Sequence, residues 1–266
     1  MLDFLLSGDA LVALLTLTFL EIILGIDNIV FISIAANKLP EKQRSKATNI
    51  GLVLAMLQRV VLLFFASFLT SLQTPFFSIN NNWLSTSISW QSIILLFGGL
   101  FLIYKSTSEI HEKVELPLRE ENKVKNKLIT SLSQAIVQIL LIDFIFSLDS
   151  ILTAVGMTNG LSTHHYYSLV LMIIAVVISI IIMIIFANPI RKFIDMHPSI
   201  QLLGLAFLIL IGFMLITEAA HLSNTSVFGQ TVGAIPKGYL YFAIAFSLFV
   251  EFLNFKINKN AKKDLL

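Results

Sequence analysis

Glu21 and Asp27 stand six positions apart in an unbroken apolar run, Glu21-Ile22-Ile23-Leu24-Gly25-Ile26-Asp27-Asn28-Ile29. The pattern returns 122 residues later as Asp143-Phe144-Ile145-Phe146-Ser147-Leu148-Asp149-Ser150-Ile151. Each copy holds an acid, five residues, an Asp, a small polar residue and Ile. An Asp at the centre of a membrane helix opposes insertion by about 3 kcal/mol, so four such acids would oppose it by on the order of 10 kcal/mol. A proton, a cation or a polar cavity must offset that. A duplicated pair of acids points to a site built between two halves of one fold.

The oxygens of Glu21, Asp27, Asn28, Asp143, Asp149 and Ser150 form the candidate ligand set, with Ser147 as an accessory. An all-oxygen set suits hard divalent cations such as Mn²⁺, Mg²⁺ or Ca²⁺, and not Zn²⁺ or Cu⁺, which favour Cys, His or Met. The metal is expected as a transported substrate, with protons as the coupling ion and no permanent cofactor. Six residues turn a helix by roughly 240° and advance it about 9 Å. Glu21 therefore shares a face with Gly25 and Asn28, and Asp143 with Ser147 and Ser150. If the two motif helices run oppositely, Glu21 is expected at the depth of Asp149 and Asp27 at that of Asp143. Unwinding near Gly25 or Ser147 is expected to free carbonyls as further ligands. Further accessory candidates are Gln138, for a polar path beside Gln134, and Arg59, as a counter-ion or static ion-pair partner. Glu218, beside His221, and Glu251 lie near span ends, where water-facing caps are the default. His164 and His165 are expected in a loop.

These residues need an apolar scaffold, and the composition supplies one. The chain is 56% hydrophobic and 13% charged, with mean hydropathy +0.87. A soluble domain has about 25% charged residues. Apolar runs place spans near 10–36, 49–72, 88–105, 129–156, 168–187, 200–222 and 236–254, each long enough to cross a bilayer. The segments between them alternate in basic content. Residues 37–48, 105–127 and 255–266 and the pair Arg191-Lys192 are basic, whereas 73–87, 157–167 and 223–235 contain no Lys or Arg. Sixteen of the 18 basic residues fall on one side, which the positive-inside rule makes cytoplasmic. The exceptions are Arg59, inside a span, and Lys237, at the start of the last one.

The expected fold is an all-α polytopic membrane protein of seven transmembrane helices, N-terminus outside and C-terminus cytoplasmic. The motif helices are an odd number of crossings apart, which makes the halves a 3+3 inverted-topology repeat with one C-terminal helix added. The divisions are repeat one at 10–105, a cytoplasmic linker at 106–128, repeat two at 129–222, the seventh helix at 236–254 and a tail at 255–266. A fainter echo links Gly99-Leu100-Phe101-Leu102-Ile103 with Gly212-Phe213-Met214-Leu215-Ile216. The linker mixes charges, with Glu109/Lys113, Glu115/Arg119 and Glu121/Lys125 at i,i+4 spacing and Pro117 as a helix breaker. Met1-Leu2-Asp3-Phe4 lacks a basic n-region, so the first span reads as a signal anchor. The absence of cysteine excludes disulfides and thiolate metal sites. The partners expected are lipid and a metal ion, with no nucleic acid.

At these motifs the chain resembles the TerC family of integral membrane proteins. The resemblance rests on FLEIILGIDNIVFI with the following KLPEKQRSKA, on IVQILLIDFIFSLDSILTAVGM and on IPKGYLYFAIAFSLFVEFLN. It implies a multi-pass protein of the bacterial inner membrane, in a family named for tellurium resistance whose members look like Mn²⁺ exporters. The family's acidic motif residues fall here on Glu21, Asp27, Asn28, Asp143, Asp149 and Ser150. Manganese and the export direction come from that resemblance, whereas the residues alone imply only a hard divalent cation crossing a membrane. Two further readings stand beside transport by alternating access. One is a scaffold or metal-resistance protein that transports nothing. The other is an intramembrane aspartyl protease with a shared-proton dyad. Four central acids and the lack of a Gly-x-Gly-Asp element set the enzyme reading last.

Overall fold

Hydrocarbon offers the backbone no hydrogen-bond partners, so apolar runs of this length close their own bonds as helices. The computed structural model bears this out over its described residues: 5, 7–37, 39–114, 131–158 and 165–263. At positions 24, 26–28, 30, 31, 37, 165, 255 and 258–263 only the backbone is described. The helices are α1 (Gly8–Asn37), α2 (Glu41–Phe64), the short α3 (Ala66–Ser71), α4 (Trp90–Val114), α5 (Leu132–Thr158), α6 (His165–Met196), α7 (Pro198–Leu222) and α8 (Lys237–Lys263). Among the described residues five helices are long and apolar enough to cross a membrane, namely α2, α4, α5, α6 from Tyr166, and α7.

Several boundaries differ from the sequence expectation for local reasons. The second span breaks at Phe65 (φ −95°, ψ 17°), where α2 hands over to α3. α4 runs on to Val114, so the first part of the expected linker is helix. Lys105 salt-bridges the buried Glu109 at 2.9 Å along that extension. The linker pairs beyond it, with Pro117, lie outside the described residues, as does His164. α6 passes through Pro189 to Met196. There Asn188 ties it to α2, accepting from Ser45 Oγ and donating to Asn49 Oδ1, each at 3.1 Å. α1 and α5 are continuous through Gly25 and Ser147, so the expected unwinding and its freed carbonyls are absent from the described backbone. Gly25 instead makes room for the Met183 side chain of α6, which would strike a Cβ there.

The expectation of helices alone also misses a small sheet. Residues 75–89 and 226–231, which overlap two of the stretches without Lys or Arg and take in the first two residues of the expected third span, form four antiparallel strands in the order β1 (Pro75–Asn80), β2 (Leu84–Ser89), β3 (Ser226–Val227) and β4 (Gln230–Thr231). β2 meets β3 with Leu84 opposite Val227 and Ser85 opposite Ser226. The β3–β4 turn is made by Phe228 (φ 51°) and Gly229 (φ 79°), the two left-handed residues that a two-residue hairpin needs.

The sheet fixes how α4 and α7 meet. Ser87 N donates to Ser223 O at 2.7 Å at one end, and Lys113 reaches Gln201 at the other. Between them a Cβ on Gly99 would lie 2.5 Å from Gly212 O, and one on Gly212 would lie 2.8 Å from Gly99 O. Advancing along α4 therefore retreats along α7, and the pair is antiparallel over its whole length. The two glycines let the backbones touch, as small residues do at membrane helix interfaces. Elsewhere α1 packs on α6, α5 on α2, and α2 on α6. The core runs through these helices, with Leu95, Leu102, Ile142, Leu148, Leu171 and Ile180 among its buried members.

Candidate functional site

Arg59 stands on the inner face of α2, buried among apolar residues. Its side chain is 2% exposed. An arginine so placed must find carboxylates, and it finds one from each motif copy. Its Nε lies 3.2 Å from both Asp143 oxygens, its Nη2 donates to Asp143 Oδ1 at 2.7 Å, and its Nη1 donates to Glu21 Oε2. Ser147 Oγ, buried one turn on, donates to Asp143 Oδ2 at 3.2 Å. Ser150 Oγ turns back to Ser147 O at 3.3 Å, so its hydroxyl bonds its own helix. Gln58, next to Arg59, donates to Leu140 O at 3.2 Å and pins α2 against α5. A small cavity lined by Leu17, Leu63, Ile151 and Met172 borders Glu21 and Arg59.

Two carboxylates share one guanidinium here. With all three ionised, the cluster carries one excess negative charge. Coulomb attraction at these separations is strong where the effective dielectric is low, and so is the penalty for any charge left over. The cluster therefore ties α1, α2 and α5 together.

The geometry overturns the expected depths. Glu21 meets Asp143, the corresponding acid of the other copy, and not Asp149. The expectation placed the crossing level midway along each motif, whereas Arg59 gathers the first acid of each. The second acids then lie six residues on, about 9 Å along their own helices. Asp27 and Asn28 belong to α1, and their side chains lie outside the described residues.

Asp149 has a different surrounding. Its Oδ2 accepts from Nζ of Lys237, the first residue of α8. The pair sits in a cleft of about 70 Å³ between α5, α7 and α8, lined by Phe146, Asp149, Met214, Glu218, Lys237 and Tyr241. Glu218 is thus brought to Asp149. Asp143 and Asp149 do not share a cavity, and among the described residues no group of three or more His, Cys, Asp or Glu is placed to hold a metal ion. Gln138 is half-buried on α5, more than a turn before Asp143. Glu251 accepts from Asn254 Nδ2 at 3.3 Å on α8, a local contact. The side chain of His165 is outside the described residues.

Lys237 is the residue that sequence reasoning missed, and its signal was present. Arg59 and Lys237 are the two basic residues that break the charge asymmetry of the loops, and each neutralises a motif acid.

A bundle of membrane-length apolar helices around a buried arginine–carboxylate cluster defines a polytopic integral membrane protein. The sequence profile of the integral membrane protein TerC family matches residues 6–265, and the chain belongs to that family. The UPF0053 inner membrane protein YgdQ of Escherichia coli K12 is 46% identical over 251 residues, covering 94% of each chain. A UPF0053 protein of Haemophilus influenzae is 40% identical over 262 residues, covering 98% of this chain and all of its own. The longer UPF0053 inner membrane protein YoaE of Escherichia coli K12 is 40% identical over 252 residues, which is 95% of this chain and 44% of that one. No solved structure matches the chain. The protein is a multi-pass protein of the inner membrane.

Proposed function

We infer that the chain is a transporter of a hard divalent cation, with manganese as substrate, export as direction and alternating access as the mechanism. The observation that carries this reading is the meeting of Glu21 and Asp143, the matching acids of two separate motif copies, on one buried Arg59. A purely structural ion pair needs one acid for one base. The second acid leaves the cluster one positive charge short, which is the condition under which an ion or proton binds. Manganese and export rest on the family resemblance, and the carboxylate and hydroxyl oxygens suit that ion.

The helix packing supports a 3+3 inverted repeat, with α8 as the seventh span in this reading. Exchanging the halves turns the α1–α6 contact into α5–α2 and maps α4–α7, α2–α6 and α1–α5 onto themselves. The antiparallel α4–α7 pair and the shared sheet of two Lys- and Arg-free segments agree with a single outer face.

The scaffold reading also has an observation in its favour. Each described motif acid already has a basic partner, Arg59 or Lys237, and the two places do not merge. Metal flux separates the readings. In proteoliposomes tested with Mn²⁺, Mg²⁺ and Ca²⁺, the wild type is expected to carry Mn²⁺, and Asp143→Asn to fall to the rate of empty vesicles. Equal, background-level flux from folded wild type and variant would leave the scaffold. The protease reading needs two aspartates from different helices, which here would pair Asp27 with Asp143 or Asp149, and the Asp27 side chain lies outside the described residues.

A further inference from the structure

The ion pair between Lys237 and Asp149 differs from the Arg59 cluster in what decides whether a partner can change. Its side chains are 41% and 26% exposed, whereas those of Arg59 and Glu21 are 2% and 7% exposed. Water can take over both charges as the first pair parts, but not the second. Lysine is a single charge on a flexible stem, whereas Arg59 grips Asp143 through two nitrogens. Lys237 opens its helix directly after Pro236, and α8 packs chiefly on α7. Its ammonium can swing out of the cleft without unpacking the core. Glu218 lines the same cleft and adds a second carboxylate to whatever cation takes its place.

We propose that Lys237 is a displaceable plug, an ammonium that occupies Asp149 in the cation-free protein and is exchanged for a divalent cation held by Asp149 and Glu218. The plug rests on the transport reading only for the ion's onward path. Because the cation and the ammonium compete for one carboxylate, removing the ammonium strengthens cation binding and adding the cation releases the ammonium.

Two measurements on the full-length protein in detergent test this, with Mn²⁺ alone as the probe. Lys237→Met is expected to bind Mn²⁺ roughly three- to fivefold more tightly than wild type by Mn²⁺ spin resonance, in line with a half-exposed ion pair of up to ~1 kcal/mol. Adding Asp149→Asn is expected to abolish the gain. In the unaltered protein, acetylation of Lys237 followed by peptide mass spectrometry is expected to quicken severalfold on adding Mn²⁺. It should also quicken in Asp149→Asn without metal. Unchanged affinity in a folded Lys237→Met protein, or Lys237 labelling indifferent to both Mn²⁺ and Asp149→Asn, overturns the plug. Vesicle flux is a separate readout. A protein that shows both effects yet carries no ion keeps the plug and loses the transport reading, and ion flux with neither effect does the reverse.

Discussion

Arg59 is where a single side chain decides most. It is the cation for Glu21 and Asp143, and all three are buried. Breaking a buried ion pair by removing one partner costs about 3–5 kcal/mol, because the charge left behind has no solvent. Arg59→Ala is accordingly expected to lose roughly that much stability, read as a lowered melting temperature or failure to accumulate folded protein. Arg59→Lys should also be clearly destabilised, because one ammonium cannot span two carboxylates as a forked guanidinium does. A Lys variant as stable as wild type would mean that the fork is not what holds the cluster. Arg59 was visible in the sequence as a base inside a span, and its two partners were visible as acids. Their pairing was not, because it depends on the level at which α1 and α5 cross, a tertiary quantity absent from the spacing. Lys237 was likewise visible only as an anomaly of charge, since its carboxylate lies 88 residues away.

Among the elements, the α4–α7 pair shows what fine sequence echoes mean. Gly99 and Gly212 stood at matching places in a faint repeat, and the structure puts them back to back. A Cβ on Gly99 would strike backbone, which cannot rotate away, so Gly99→Ala is expected to destabilise by about 1–3 kcal/mol, as overpacking does. Gly156, in α5, has nothing within 4 Å of where a Cβ would stand. Gly156→Ala should therefore be neutral or stabilising by about 0.5–1 kcal/mol from helix propensity alone. Thermal unfolding of the two variants side by side checks the contrast, and equal losses would refute the close approach. The long helices were legible because apolar runs of that length have few alternatives. The sheet was not. Its strands are short and rich in Ser, Thr and Asn, and its β3–β4 turn uses Phe228-Gly229, not one of the Asn-Gly or Asp-Gly pairs that announce a hairpin.

Over the whole molecule, the sheet stitches the segment between α3 and α4 to the segment between α7 and α8. Thr86 and Thr225 bring their hydroxyls to 2.9 Å across that seam, and the chain contains no cysteine to confuse a cross-link. Thr86→Cys with Thr225→Cys is expected to form a disulfide under mild oxidation, read as a mobility shift that reductant reverses. In intact cells the single Thr86→Cys variant should react with a membrane-impermeant thiol reagent, as an outer face requires. Labelling only after the cells are broken open would invert the topology read from the loop charges.

The α4–α7 seam has a mechanical consequence. It is pinned by backbone hydrogen bonding at the sheet, by touching glycines in the middle and by Lys113 on Gln201 at the far end. Two rods with three fastenings along one seam resist sliding and pivoting. They form the keel of the molecule. On the transport reading, opening of the Arg59 cluster is therefore expected to move α1, α2, α5 and α6 more than this seam, and distance measurements between spin labels on α4 and α7 that change as much as those between α1 and α6 would refute it.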